Sequence, residues 1–192
     1  MAIKIDGNWS AGFAIDLHTI SSVYLGIDDY GRKQFDNERS EIGELVNKLK
    51  YHSDMTVIPK IIEIINKNIK NISHVDFIIP VPPSNMSRNI QPVYSITRAL
   101  SQSTNVLSLE NLLAKTNPEQ LKNIEDPTQR ETILRSSLIL NNQVDISNKK
   151  VLLVDDVYRS GATLRAITDL LYNQGRVSNV YVLTMTKTRS NR

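Results

Sequence analysis

Apolar and polar positions change period several times along this chain, and the changes divide it into strands and helices. From Ala11 to Phe35 the period is two: Phe13, Ile15 and Leu17 alternate with small or polar neighbours, as do Val23, Leu25 and Ile27. That alternation predicts β structure. Asp28-Asp29-Tyr30-Gly31 carries a turn signal, and Arg32 to Phe35 returns as a third short strand. The period then lengthens. Ile42, Leu45, Val46 and Leu49 share one face of a predicted helix, and Ile58, Ile61, Ile62, Ile65 and Ile69 share one face of a second.

Val75-Asp-Phe-Ile-Ile-Pro80 is predicted as a buried strand that runs into a Pro-rich loop, Val81 to Asn89. Gln91 to Leu100 has helical spacing and opens with Pro92 at an early position, where proline is tolerated. A short strand is expected within Thr104 to Leu113, a short helix near Gln129 to Arg135 and another strand at Ser137 to Leu140. Between them Lys115 to Thr128 is polar, has two prolines and shows no period, so a mobile loop is expected there. Val151 to Val154 is a buried strand, Leu164, Ile167, Leu170 and Leu171 mark the helix after it, and Asn179 to Thr186 is a last strand. Strands alternating with helices imply an α/β fold with a mostly parallel sheet and ligands at the carboxyl ends of its strands.

Composition narrows the function. The 192 residues fit one domain, or one domain with a small appendage. A net charge of +3 is mild and unclustered, which does not argue for nucleic acid. There is no cysteine, so disulfides and thiolate metal sites are excluded. His18, His52 and His74 share no metal-ligand spacing and read as structural or exposed. No apolar run approaches the ~20 residues that span a bilayer, and the N-terminus lacks the pattern of a secretory signal, so a cytoplasmic protein without membrane contact is expected.

The chemistry concentrates in VLLVDDVYRSGATLRA, Val151 to Ala166. An apolar strand ends in two adjacent carboxylates, Asp155 and Asp156, and a short loop, Val157-Tyr158-Arg159-Ser160-Gly161-Ala162-Thr163, leads into a helix. A helix start offers unpaired N–H donors and the positive end of the dipole, which favour a phosphate. Gly161 lets the backbone approach closely, and the hydroxyls of Ser160 and Thr163 add donors. The carboxylates suit a sugar diol or a hydrated divalent cation. No Gly-x-x-x-x-Gly-Lys-Ser/Thr and no Gly-x-Gly-x-x-Gly occurs, so the loop is neither a Walker A loop nor a dinucleotide fingerprint. The plain alternative is an ordinary βα unit with an acidic turn.

This order of parts resembles the PRPP-binding motif of the type I phosphoribosyltransferases (PRPP being phosphoribosyl pyrophosphate). Leu49-Lys50-Tyr51-His52-Ser53-Asp54, Ile79-Pro80-Val81-Pro82-Pro83-Ser84, Lys115-Thr116 with Gln120-Leu121, and Arg130 precede it in order. That series is similar to the ComF-like branch, and the likeness covers roughly Glu41 to Lys187. Three departures stand out. The cysteine zinc ribbon common in that branch is absent. Its Arg-Gly-Phe-Asn-Gln stretch has only Ser87-Arg88-Asn89-Ile90-Gln91 as a counterpart. Arg159 stands where purine salvage enzymes carry an acid for the purine N7 proton; arginine cannot accept a proton, which argues against a hypoxanthine or guanine acceptor and loosely suggests one with an acidic group.

The resemblance implies a Rossmann-like, mostly parallel sheet with a small N-terminal β hood, residues 1–37, ahead of a core at 38–192. It implies transfer of a 5-phosphoribosyl group from PRPP to a small nitrogenous acceptor, with release of pyrophosphate. Asp155 and Asp156 are expected to act on the ribose and on Mg²⁺ through water, and Val157 to Thr163 to bind PRPP. Pro82, Pro83, Ser84 and Arg88 are expected against pyrophosphate, with Lys115 neutralising it as it leaves. Other readings stay open: strand termination for the acids, solvated surface cations for Arg88 and Lys115, packing for Tyr158 and Trp9, and helix-surface charges for Arg130 and Arg135. A non-catalytic PRPP- or nucleotide-binding regulator is the alternative function, and a homodimer is among the assemblies open to the chain.

Overall fold

The computed structural model describes residues 2–85, 87–116 and 126–189. Its central sheet has six strands in the order β1-β2-β10-β9-β5-β6. These are β1 (Ile3–Lys4), β2 (Ala11–Leu17), β5 (Phe77–Pro80), β6 (Leu107–Ser108), β9 (Lys150–Tyr158) and β10 (Asn179–Lys187). Only β1 runs antiparallel to its neighbour; every other pairing is parallel. Two antiparallel pairs lie outside the sheet: β3 (Thr19–Ile27) with β4 (Lys33–Arg39), and β7 (Leu113–Lys115) with β8 (Leu138–Leu140).

Helices cover both faces of the sheet, which is why its inner strands are apolar without alternation. On one face α1 (Glu41–His52), α2 (Ile58–Asn68) and α3 (Pro92–Thr104) pack over Ile15, Ile78, Leu152, Val154, Leu183 and Met185. On the other, α5 (Ala162–Asn173), α4 (Pro127–Ser137) and the β7–β8 pair cover Ala14, Ile79, Val151, Leu153, Val180 and Val182. Successive side chains of β9 thus enter opposite cores, and Leu153 and Val154 are both fully buried. The helix α1 begins where Ser40 Oγ accepts the amide of Gly43, and Ser40 also donates to the Leu17 carbonyl, which fixes the helix against the end of β2.

Within residues 2–37, which the sequence suggests as a hood or appendage, β2 pairs in parallel with β10 from Ala11 to Leu17, and β1 continues the same sheet. Only the β3–β4 hairpin stands off it. Alternation identified β2 as a strand, but its partner lies near the other end of the sequence. Lys115 likewise belongs to β7 rather than to a loop, while Gln120 and Leu121 lie outside the described residues. No helix among the described residues is long and apolar enough to cross a membrane.

Candidate functional site

The loops after β5 and β9 leave the carboxyl edge of the sheet side by side. Pro80 is in register with Val154, and the Val81 amide donates to the Val154 carbonyl at 2.9 Å. Pro82 and Pro83 therefore start their loop beside Asp155 and Asp156, with Pro82 buried, Pro83 half-buried and Ser84 exposed. Arg88 holds its guanidinium 6.0 Å from the ring centre of Tyr51, at the end of α1.

The acid pair is not two equal carboxylates. Asp155 Oδ1 accepts the Asp156 amide at 2.8 Å. Burial, reinforced by the neighbouring charge of Asp156, pushes the Asp155 carboxyl up to about 8, against the pull of the same amide and of the Lys50 and Lys115 cations. Asp156 has a direct partner: Lys50 Nζ lies 2.5 Å from its Oδ2, with the two side chains 19% and 15% exposed. Sequence reasoning placed Lys50 only in a stretch of family likeness and gave it no role. On the helical period it reads as part of the polar face of α1; its proximity to a residue 106 positions later is a property of the fold.

On the β10 side, Thr186 Oγ1 donates to the Asp156 carbonyl at 3.2 Å and lies 3.1 Å from His18 Nδ1. Burial lowers the His18 pKa, and the cations of Arg39, Lys50 and Arg159 lower it further. The carboxylate of Asp156 opposes these cations and raises it. Arg159 is exposed at the start of the loop.

The loop itself turns at Gly161, whose φ of +75° is a left-handed conformation that other residues resist. A Cβ there would stand 2.7 Å from Tyr158 Cε2. Arg165 clamps the loop by donating to the Ser160 carbonyl at 2.7 Å. No side chain caps α5 at Gly161, and the Ala162 amide donates only across a long 3.4 Å to Ser160 Oγ. Such a helix start binds anions.

For Tyr158 the sequence leaves contact with a ligand and packing both open. Its ring is buried and meets Trp9 edge-to-face, with centroids 6.5 Å apart. Trp9 in turn donates from its indole nitrogen to the Ile5 carbonyl at 3.0 Å. A large ring with an apolar cavity available is stabilised more by burial than by exposure. Both residues are thus packing groups that support the loop from below. Arg135 pairs with Glu131 and Asp169 on the surface, away from this edge.

The donor set for a metal is the acid pair alone; no cluster of three or more His, Asp or Glu side chains exists among the described residues. Two adjacent carboxylates do not form a protein-built cage. They do fit Mg²⁺, which keeps several waters and takes phosphate oxygens from its substrate.

Residues 91–183 match the family model of the phosphoribosyl transferase domain. The bifunctional protein PyrR of Limosilactobacillus reuteri is 39% identical over 59 residues, 31% of each chain, so this chain spans under a third of that relative's length. Among solved structures, a hypoxanthine phosphoribosyltransferase from Staphylococcus aureus is 17% identical, with 72% of this chain and 68% of that one covered and a TM-score of 0.47. The glutamine PRPP amidotransferase of B. subtilis is 19% identical, with 83% and 35% covered and a TM-score of 0.48.

Proposed function

We propose that this chain, with a phosphoribosyl transferase domain across residues 91–183, is a type I phosphoribosyltransferase that uses PRPP as donor. One observation carries the reading: a single loop joins an acid pair to an uncapped helix start through a glycine at positive φ, at the carboxyl edge of a parallel sheet. Ser160 to Thr163 would take the 5′-phosphate on the first turn of α5, and Asp155 and Asp156 would hold the ribose hydroxyls and, through water, Mg²⁺. That ion would supply charge neutralisation for the pyrophosphate. Pro82, Pro83 and Ser84, beside the acid pair, would border the pyrophosphate, with Arg88 at the rim.

In the transfer, the bond from ribose C1 to the pyrophosphate oxygen breaks and a bond from C1 to an acceptor nitrogen forms. Pyrophosphate would leave with the bonding electron pair, and its growing negative charge would be met by cations of the site, Lys115 among them. The protein's part is orientation and charge stabilisation, with no covalent intermediate required. The ComF-like branch is supported by Lys50 and Tyr51, since both residues of that stretch reach the site edge. A soluble anionic donor suits a cytoplasmic protein, and the assembly expected is a homodimer.

A second reading has one observation in its favour. Lys50 pairs with Asp156, as it could in a module that binds PRPP or a nucleotide without turnover. Calorimetric titration of PRPP with Mg²⁺ into the wild type and into Asp155→Asn/Asp156→Asn tests the pocket. Magnesium-dependent binding lost in the double variant is expected; a folded wild type that binds nothing overturns both readings. Consumption of PRPP with release of pyrophosphate, across a panel of nitrogenous acceptors, then separates enzyme from sensor.

A further inference from the structure

His18 directly follows β2, on the carboxyl edge of the sheet that also carries the acid pair. The strand order β2-β10-β9-β5 puts Asp155 and Asp156 between His18 and the Pro-rich loop after β5. With pyrophosphate bordered by that loop, an acceptor nitrogen reaches C1 from the face opposite the departing group, where the reacting orbitals align. That face is the β10 and β2 side. The His18 backbone is held there twice. Its amide donates to the Lys187 carbonyl at 2.8 Å, and its own carbonyl lies so close to Gly43 that a Cβ on that glycine would stand 2.5 Å from it.

The hydrogen bonds around His18 fix which of its nitrogens carries the proton. The Thr186 hydroxyl has one hydrogen, and it goes to the Asp156 carbonyl, which can only accept. Toward His18 Nδ1, 3.1 Å away, Thr186 Oγ1 is therefore the acceptor, and Nδ1–H is the donor. In the neutral ring Nε2 then keeps an unshared lone pair. That nitrogen has no hydrogen-bond partner among the described residues and stays in contact with solvent. Burial and the cations of Arg39 on β4, Lys50 on α1 and Arg159 on the loop disfavour the protonated ring, while Asp156 on β9 favours it. The balance lies below the ordinary 6.5, so the ring is unprotonated at neutral pH.

We propose that His18 is a catalytic residue, the base whose Nε2 takes the proton from the acceptor nitrogen. This rests on the PRPP-dependent reading above, and it supplies the proton acceptor that Arg159 cannot be. As the bond from C1 to nitrogen forms, the nitrogen gains positive charge and its N–H becomes strongly acidic, so a base weaker than free imidazole suffices. The proton passes to Nε2, and the N–H bonding pair stays on the acceptor nitrogen. The imidazolium then returns the proton to solvent, with Thr186 accepting from Nδ1 throughout. The acceptor class is thereby narrowed to heterocycles or amines that lose an N–H proton on transfer. A pyridine nitrogen, which carries no proton, has no use for such a base.

Pyrophosphate release from PRPP with Mg²⁺ is measured with adenine, uracil and orotate, which lose an N–H proton on transfer, and with nicotinate, which has none to lose. Turnover with an acceptor of the first kind is expected. His18→Asn keeps an amide donor for Thr186 but offers no base. It is expected to slow that turnover about 10²-fold, with PRPP affinity by calorimetry unchanged within about twofold. The wild-type rate is expected to fall on the acid side of pH 6.5, and the variant is expected to lose that limb. Should the variant fail to fold, nitrogen NMR shifts of the wild-type imidazoles decide, with His18 protonated at Nδ1 expected at neutral pH. A folded His18→Asn with wild-type turnover overturns the proposal and leaves the PRPP reading standing, as does a loss of rate matched by an equal loss of PRPP affinity. Turnover with nicotinate alone, or a ring protonated at Nε2, overturns it as well. A wild type that binds PRPP and releases no pyrophosphate removes the proposal and the enzyme reading together.

Discussion

Replacing Lys50 by methionine removes the ammonium from Asp156 while keeping most of the side chain's bulk. Two unit charges about 4 Å apart at an effective dielectric near 20 attract by about 4 kcal/mol. Lys50 and Asp156 keep some water, at 19% and 15% exposure, so screening and side-chain ordering bring the net coupling to about 2 kcal/mol. Urea unfolding of metal-free wild type, Lys50→Met, Asp156→Asn and the double variant gives the coupling directly from a double-mutant cycle. Lys50→Met is expected to be the most destabilised, because it leaves Asp156 charged beside Asp155. Asp156→Asn is expected to cost much less, since it also relieves the repulsion felt by Asp155. A coupling below about 0.5 kcal/mol, the scale of an exposed surface pair, would refute the reasoning.

Two further outcomes follow from the site. Asp155 holds its proton to about 8 in the folded chain, against 3.8 for the ordinary group. Between those values the folded state binds more protons than the unfolded one, so this group's contribution to stability falls as pH rises from about 4 to 8. Asp155→Asn removes that slope: without ligand it is expected to be more stable than wild type by a few kcal/mol at pH 8, at about 1.4 kcal/mol per unit of separation. The difference should vanish near pH 4, and urea titrations across the range that show a constant difference would exclude this account. Gly161→Ala combines backbone strain at φ +75° with a Cβ driven toward Tyr158. A cost of about 2 kcal/mol is expected, seen as a melting temperature lower by roughly 4–8 °C together with weaker PRPP binding; an unchanged melting curve would count against it.

The sequence is most legible where the structure is local. Strand β9, its loop and α5 form one contiguous βα unit, so apolar run, acid pair and helix spacing all identified it. The apolar faces of α1 and α2 were equally plain, because period 3.6 reports burial directly. For Tyr158 and Trp9 the sequence leaves packing and ligand contact both open, since residue type fixes neither ring's direction; the fold buries both in one core. Lys50 was missed for a related reason, since a lysine on a helix's polar face looks solvated until the fold sets it against a carboxylate. The partner of β2 was beyond reach, as alternation marks a strand but not its neighbour.

That last pairing has a consequence for the order in which the protein can assemble. Strand β2 belongs to the sheet only through β10 and β1, and the contact of His18 with Thr186 spans 168 residues. During synthesis Ala14 and Ile15 leave the ribosome long before the strand that will cover their flank exists. Contacts of such long span close slowly because the loop entropy is lost before they form. A nascent chain therefore carries an apolar strand with an open edge through most of its translation, a state prone to association and to chaperone capture. The aromatic pair beside the loop after β9, Trp9 with Tyr158, joins the same early segment to the end of β9, so the loop is expected to gain its support only after these two distant segments have met.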